Sequence, residues 1–139
     1  MRRFPAPFTA LLRERTVCGG LLLAGGVLII GNALGVSLWH CAFLEVTGRP
    51  CPGCGLTRGL TALCHGEVGH SMQWHPFSPV FALGGMIMLV SWMLPAPSRE
   101  RLTGLVQAIE ECTGVTLWLL MALMVFGGWR MANSEMFLW

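Results

Sequence analysis

The chain has no lysine, no aspartate and no tyrosine, and only 12% of its 139 residues are charged. A soluble domain carries about 25% charged residues, so this one lacks the polar surface that a water-soluble globule needs. Without aspartate there is no Ser-His-Asp set, and no pair of carboxylates stands where a catalytic cleft is expected. Without lysine there is no Gly-rich phosphate loop of the usual kind. The formal charge is +2, and the nine basic residues, all Arg, form no stripe, so the composition excludes nucleic acid as a partner. No Asp, Glu or Lys falls in the middle of an apolar run, which argues against an ion pump or a proton relay.

What the chain does have is apolar sequence, 54% of the residues. Three runs predict membrane-spanning helices at about 17–39, 79–94 and 113–132. About 20 apolar residues suffice to cross the hydrocarbon as a helix. The second run is short and is stopped by Pro95-Ala96-Pro97. Gly31 and Gly35 form a GxxxG pair in the first, read as packing against the other two spans. Asn32 in the same run is expected to hydrogen-bond a neighbouring helix. Residues 98–112 predict an amphipathic surface helix, with Leu102, Leu105, Val106 and Ile109 opposite Arg99, Arg101, Glu110 and Glu111, the last two on a solvated face. Residues 1–15 predict a short interfacial helix. They are not read as the start of a signal peptide: the apolar run that follows exceeds a signal h-region, and no small-x-small cleavage site ends it.

The expectation is therefore an all-α chain, a single membrane domain over residues 1–139, set in a cell (inner) membrane. Arg2, Arg3, Arg13, Arg15, Arg99 and Arg101 fall on one side, and Arg49, Arg58 and Arg130 on the other. This bias predicts a cytoplasmic N-terminus and an extracytoplasmic segment at 51–79.

The chemistry is concentrated in that segment. Of ten Cys and His residues, eight lie between His40 and His75. Residues 51–65 read CPGCGLTRGLTALCH. Pro52 suits the first turn of a helix, so the spacing predicts a short re-entrant or interfacial helix over 54–65 with Cys51 as its N-cap. On such a helix Cys51, Cys54, Arg58, Thr61 and His65 share one face, and Leu56, Leu60 and Leu63 share the other. A helix N-terminus and the nearby Arg58 both favour thiolate over thiol.

The run CPGCGLTRGLTALCHGE, followed by His75-Pro76 and an apolar stretch, resembles a domain-of-unknown-function family of small bacterial integral membrane proteins with a CPxCGxTR signature. Cys51, Pro52, Cys54, Gly55, Thr57 and Arg58 match the signature, and Gly66-Glu67 matches a later Gly-acidic pair. His75 stands where that family usually has Asn. The resemblance implies the membrane topology and the importance of the motif, and it brings no activity with it.

Four readings of the segment stay open. In the first, Cys51 and Cys54 shape the turn, Gly55 permits close packing, and Thr57 and Arg58 satisfy loop carbonyls and lipid phosphates. In the second, Cys51 and Cys54 are two ligands of a metal, zinc before copper. The other two ligands then come from Cys41, Cys64, His40, His65, His70 and His75, with Cys64 and His65 the first choice. In the third, Cys51 and Cys54 are the catalytic pair of a membrane thiol oxidoreductase that passes electrons to quinone, with Cys41 and Cys64 as a second pair. The fourth, haem ligated by His40 with His70 or His75, lacks a CxxCH motif. The favoured function is an accessory or binding module in the lipid bilayer, self-associated or with a membrane-protein partner.

Overall fold

The computed structural model describes residues 4–36, 41–49, 51 and 53–133, without the side chains of 42–44. His40 and Pro52 lie outside the described residues, as do the expected end of the first span at Trp39 and the arginines Arg2 and Arg3. All regular structure among the described residues is helical: α1 (Pro7–Arg13), α2 (Arg15–Ala33), α3 (Ala42–Thr47), α4 (Leu56–Cys64), α5 (Val68–Trp74), α6 (Ser78–Met93), α7 (Ala96–Thr113) and α8 (Val115–Ala132).

Two of these, α2 and α8, are long and apolar enough to cross a membrane. A third crossing exists if α5 and α6, which meet at a bend of 107°, count as one span. The bend falls at His75-Pro76-Phe77, where Pro76 has no N–H to continue a helix. The distribution of side chains supports the membrane setting. Among the described residues only Leu12 and Cys18 are fully buried hydrophobics, whereas Ser71, His75, Ser78, Ser91 and Glu110 are buried polar groups. Leu23 and Val125 are 72% and 71% exposed. Apolar outside and polar inside is the reverse of a soluble globule.

Helix α2 stops at Ala33, short of the expected 39. The amide of Val36 donates to Gly31 O at 2.8 Å, and that of Gly35 to Asn32 O at 3.1 Å. This is a Schellman ending, with Gly35 in the left-handed region at φ 77°. The GxxxG reading is thereby corrected, since Gly35 is a helix stop and not part of a packing face.

The described structure forms two compact units, Met1–Gly25 with Leu83–Leu120 and Gly26–Ala82 with Met121–Trp139. In the first, the start of α2 packs on α6: the Cys18 thiol donates to Met88 O at 3.5 Å, and Arg15 stacks 5.9 Å from the Trp92 ring centroid. The surface helix expected at 98–112 is α7, which Pro95-Ala96-Pro97 starts rather than merely separates from α6. One expectation there is overturned. Glu110 is not on a solvated face; it is 1% exposed. Its carboxylate accepts from the amides of Phe8 and Thr9, each at 3.0 Å, from Thr9 Oγ1 at 2.8 Å and from Thr116 Oγ1 at 2.5 Å. Those amides belong to the first turn of α1 and have no intrahelical acceptor. Glu110 therefore caps α1. Its burial favours the neutral acid, but these hydrogen bonds outweigh burial and hold the carboxyl below the usual carboxylate range.

Candidate functional site

The second unit holds the cysteine-rich segment, whose cysteines precede helix α4. The amide of Cys54 donates to Cys51 O at 3.0 Å and that of Leu56 to Gly53 O at 3.1 Å, so residues 51–56 form consecutive turns. Gly55 follows at φ 90°, a conformation closed to most L-residues. An added Cβ at Gly55 would lie 2.8 Å from Trp74 O. The expected helix over 54–65 therefore starts two residues later, at Leu56, and the stripe that joined Cys51 and Cys54 to Arg58 does not form. Helix α4 ends on the Gly-acidic pair: Gly66 is left-handed, and Glu67 N donates to Ala62 O at 3.0 Å.

Gly59 lets α4 come close to α5 and to the start of α6: an added Cβ would lie 3.1 Å from Ser71 O and collide with Ser78 Oγ. Ser78 Oγ in turn donates to His75 O at 2.6 Å. His75, 0% exposed, accepts the Phe77 amide at Nδ1 and meets the edge of Phe126, with centroids 5.5 Å apart. Asn32 from α2 donates to Thr61 Oγ1 at 3.0 Å, and Thr61 donates to Thr57 O at 2.9 Å.

The turn brings three sulfurs together. Cys41, Cys51 and Cys54 are half-buried cysteines outside any disulfide, and their Sγ atoms all lie within 4.8 Å of one another. The Cys51 and Cys54 sulfurs are 3.2 Å apart, and the Cys51 amide donates to Cys54 Sγ at 3.3 Å. Cys41 reaches the group from the start of α3, whose first turn it closes by accepting Glu45 N at 3.1 Å. The carbonyl of Cys54 is bound by Arg130, from the last turn of α8, at 2.6 Å. Sequence reasoning gave that carbonyl-binding task to Arg58. Arg58 instead stacks over Trp74, 5.0 Å from the ring centroid.

Burial pushes the Cys54 thiol up to about 12, helped by hydrogen bonding with the Cys51 and Cys41 thiols; the Cys51 amide opposes this only partly. The helix N-terminus expected to favour a Cys54 thiolate does not act there, since α4 begins beyond the cysteines, at Leu56. Cys64 and His65, the other two expected ligands, stand outside the three-sulfur group. Cys64 is exposed on α4, and His65 Nδ1 engages Thr61 O at 2.9 Å. Cys41 was only one of several possible partners in the sequence; its neighbour His40 and its distance from Cys51 gave no sign that it would be chosen.

Among the described residues the structure is all-helical, with two or three candidate membrane spans and a clustered group of three cysteines. Residues 41–89 match the model of a family described as a protein of unknown function, DUF2752, and this segment carries the CPxCGxTR motif. No curated protein and no solved structure matches the chain.

Proposed function

We propose that the chain is a membrane accessory module that binds a thiophilic divalent metal, zinc, through Cys41, Cys51 and Cys54. The observation that carries this reading is the approach of three cysteine sulfurs to within 4.8 Å of one another. Zinc–sulfur bonds of about 2.3 Å in a tetrahedron place sulfurs roughly 3.8 Å apart. The cluster, with one pair at 3.2 Å, needs only small shifts to reach that geometry. A bound cation also deprotonates coordinating thiols outright. The fourth ligand is a solvent molecule or a further side chain, and His40 is adjacent in sequence to Cys41.

The bias of Arg residues supports a cytoplasmic N-terminus and an extracytoplasmic 51–79 segment in a cell membrane, with residues 1–139 as a single membrane domain. With so few spans the chain does not enclose a path by itself, which supports self-association or a membrane-protein partner.

A second reading, a thiol oxidoreductase, is favoured by one distance, the 3.2 Å between Cys51 and Cys54 sulfurs. Closing that pair would release two protons and two electrons, the electrons passing to an acceptor such as a quinone. The second pair it needs is not supported, because Cys64 does not join Cys41 in the sulfur group.

Metal analysis with thiol counting on anaerobically purified protein separates the two. About one zinc per chain, lost in Cys51→Ser and in Cys54→Ser, is the expected result. Metal-free protein whose Cys51 and Cys54 cycle between thiol and disulfide would replace the metal reading with the redox one.

A further inference from the structure

We infer that the groove between α4, α5 and the end of α2 is a binding site for a phosphate ester, with Arg58 as its principal ligand. This site uses none of the clustered cysteines and is independent of the metal reading.

The groove has a volume of about 300 Å³ and is lined by Arg58, Trp74, Asn32, Thr61 and His65, among others. Arg58 is exposed, yet its guanidinium is held 5.0 Å from the Trp74 ring centroid. Stacking of this kind fixes the plane of the fork while leaving its N–H edges open. Among the described residues no carboxylate or carbonyl accepts from Arg58. The one carboxylate in the groove, Glu67, already faces His70, with Nδ1 and Oε2 3.3 Å apart. The cation therefore has five donors in a rigid fork and no acceptor supplied by the described protein.

The surrounding polar groups are preset. The Asn32 amide donates to Thr61 Oγ1, which fixes which end of that side chain is the donor. Thr61 spends its hydroxyl hydrogen on Thr57 O, and the His65 ring gives Nδ1–H to Thr61 O, so the donor left beside Arg58 is the second N–H of the Asn32 amide. An oriented Arg fork with an amide N–H of Asn32 beside it matches the several oxygens of a phosphate.

The flanking sequence indicates how that phosphate arrives. Ile30 and Leu34, either side of Asn32 at the end of α2, are 61% and 75% exposed. A polar groove beside an exposed apolar helix end suits a phospholipid, with its headgroup phosphate on Arg58 and its chains along α2. Free phosphate carries the same chemistry without the chains.

The test uses full-length protein, delipidated in an uncharged detergent. Binding of phosphatidylglycerol is measured by native mass spectrometry against diacylglycerol, which has the chains but no phosphate, and inorganic phosphate is titrated in parallel by calorimetry. Phosphatidylglycerol is expected to bind at least about tenfold tighter than diacylglycerol, the scale of one charge-assisted hydrogen-bond pair. Arg58→Gln should remove that preference, Arg58→Lys should keep part of it, and Arg49→Gln should leave it intact. Arg58-dependent binding of inorganic phosphate at comparable concentration would assign the site to a soluble phosphate ester. Equal binding of the two lipids together with no binding of phosphate, or a preference unchanged in a folded Arg58→Gln variant, would overturn the inference.

Discussion

Arg130 donates Nη1–H to the carbonyl of Cys54 at 2.6 Å, tying the last turn of α8 to the turn that carries the CxxC pair. The contact spans 76 positions of sequence. It makes the geometry of the sulfur group depend on a helix that contributes no sulfur. Arg130→Ala is expected to cost about 2 kcal/mol, the scale of a charge-assisted hydrogen bond, and to weaken metal binding severalfold. Unfolding in detergent reads the first effect, and competition with a chelator reads the second. Unchanged stability and unchanged chelator resistance would show that the contact does not organise the turn.

The glycines of the motif make a second prediction. Gly55→Ala forces a Cβ to 2.8 Å from Trp74 O at φ 90°, and Gly59→Ala drives one into Ser78. Each should destabilise by more than about 1 kcal/mol. Gly69→Ala on α5, where a Cβ meets nothing within 4 Å, should be neutral or slightly stabilising. Thermal unfolding of the three variants side by side checks the ranking, and equal effects would contradict it.

Glu110 sets the acid response of the first unit. Its folded-state carboxyl titrates below the ordinary 4.5, so its contribution is fully present above that value and is lost as pH falls through the lower, folded-state value. Stability should therefore drop as pH falls below about 4.5, with release of α1 from α7. Glu110→Gln should cost about 1–3 kcal/mol at neutral pH and flatten that part of the pH profile. Amide exchange at Phe8 and Thr9, followed from pH 7 to pH 3 in both proteins, is the check. Equal protection of those amides in both proteins would contradict the cap.

The same residue shows where sequence reading stops. The apolar runs fix where α6 and α8 lie to within about two residues, because each is bounded by Pro, Gly or Thr and needs no tertiary partner to be recognised. Helix α7 was legible for the same reason. Glu110 was not: at 3.6 residues per turn it falls beside both Arg99 and Val106, at the edge between the charged and apolar faces, and only the arrival of α1 buries it. The CPxC turn failed differently. Pro52 suggested a helix start, but Gly55 in the left-handed region ends the turn first, and one residue's φ is invisible to spacing. Arg130 and Cys41 reach the site through contacts distant in sequence, which periodicity does not register. The candidate site was thus legible as a motif, while its third sulfur and its anchoring cation required the fold.

The most direct test of the central claim is the zinc content of wild-type protein beside Cys41→Ser and Cys64→Ser, all purified anaerobically and confirmed helical. The three-sulfur geometry predicts about one zinc per chain in the wild type and in Cys64→Ser, and its loss in Cys41→Ser. A wild type without metal, or a Cys41→Ser variant that keeps the full complement while Cys64→Ser loses it, would contradict the account.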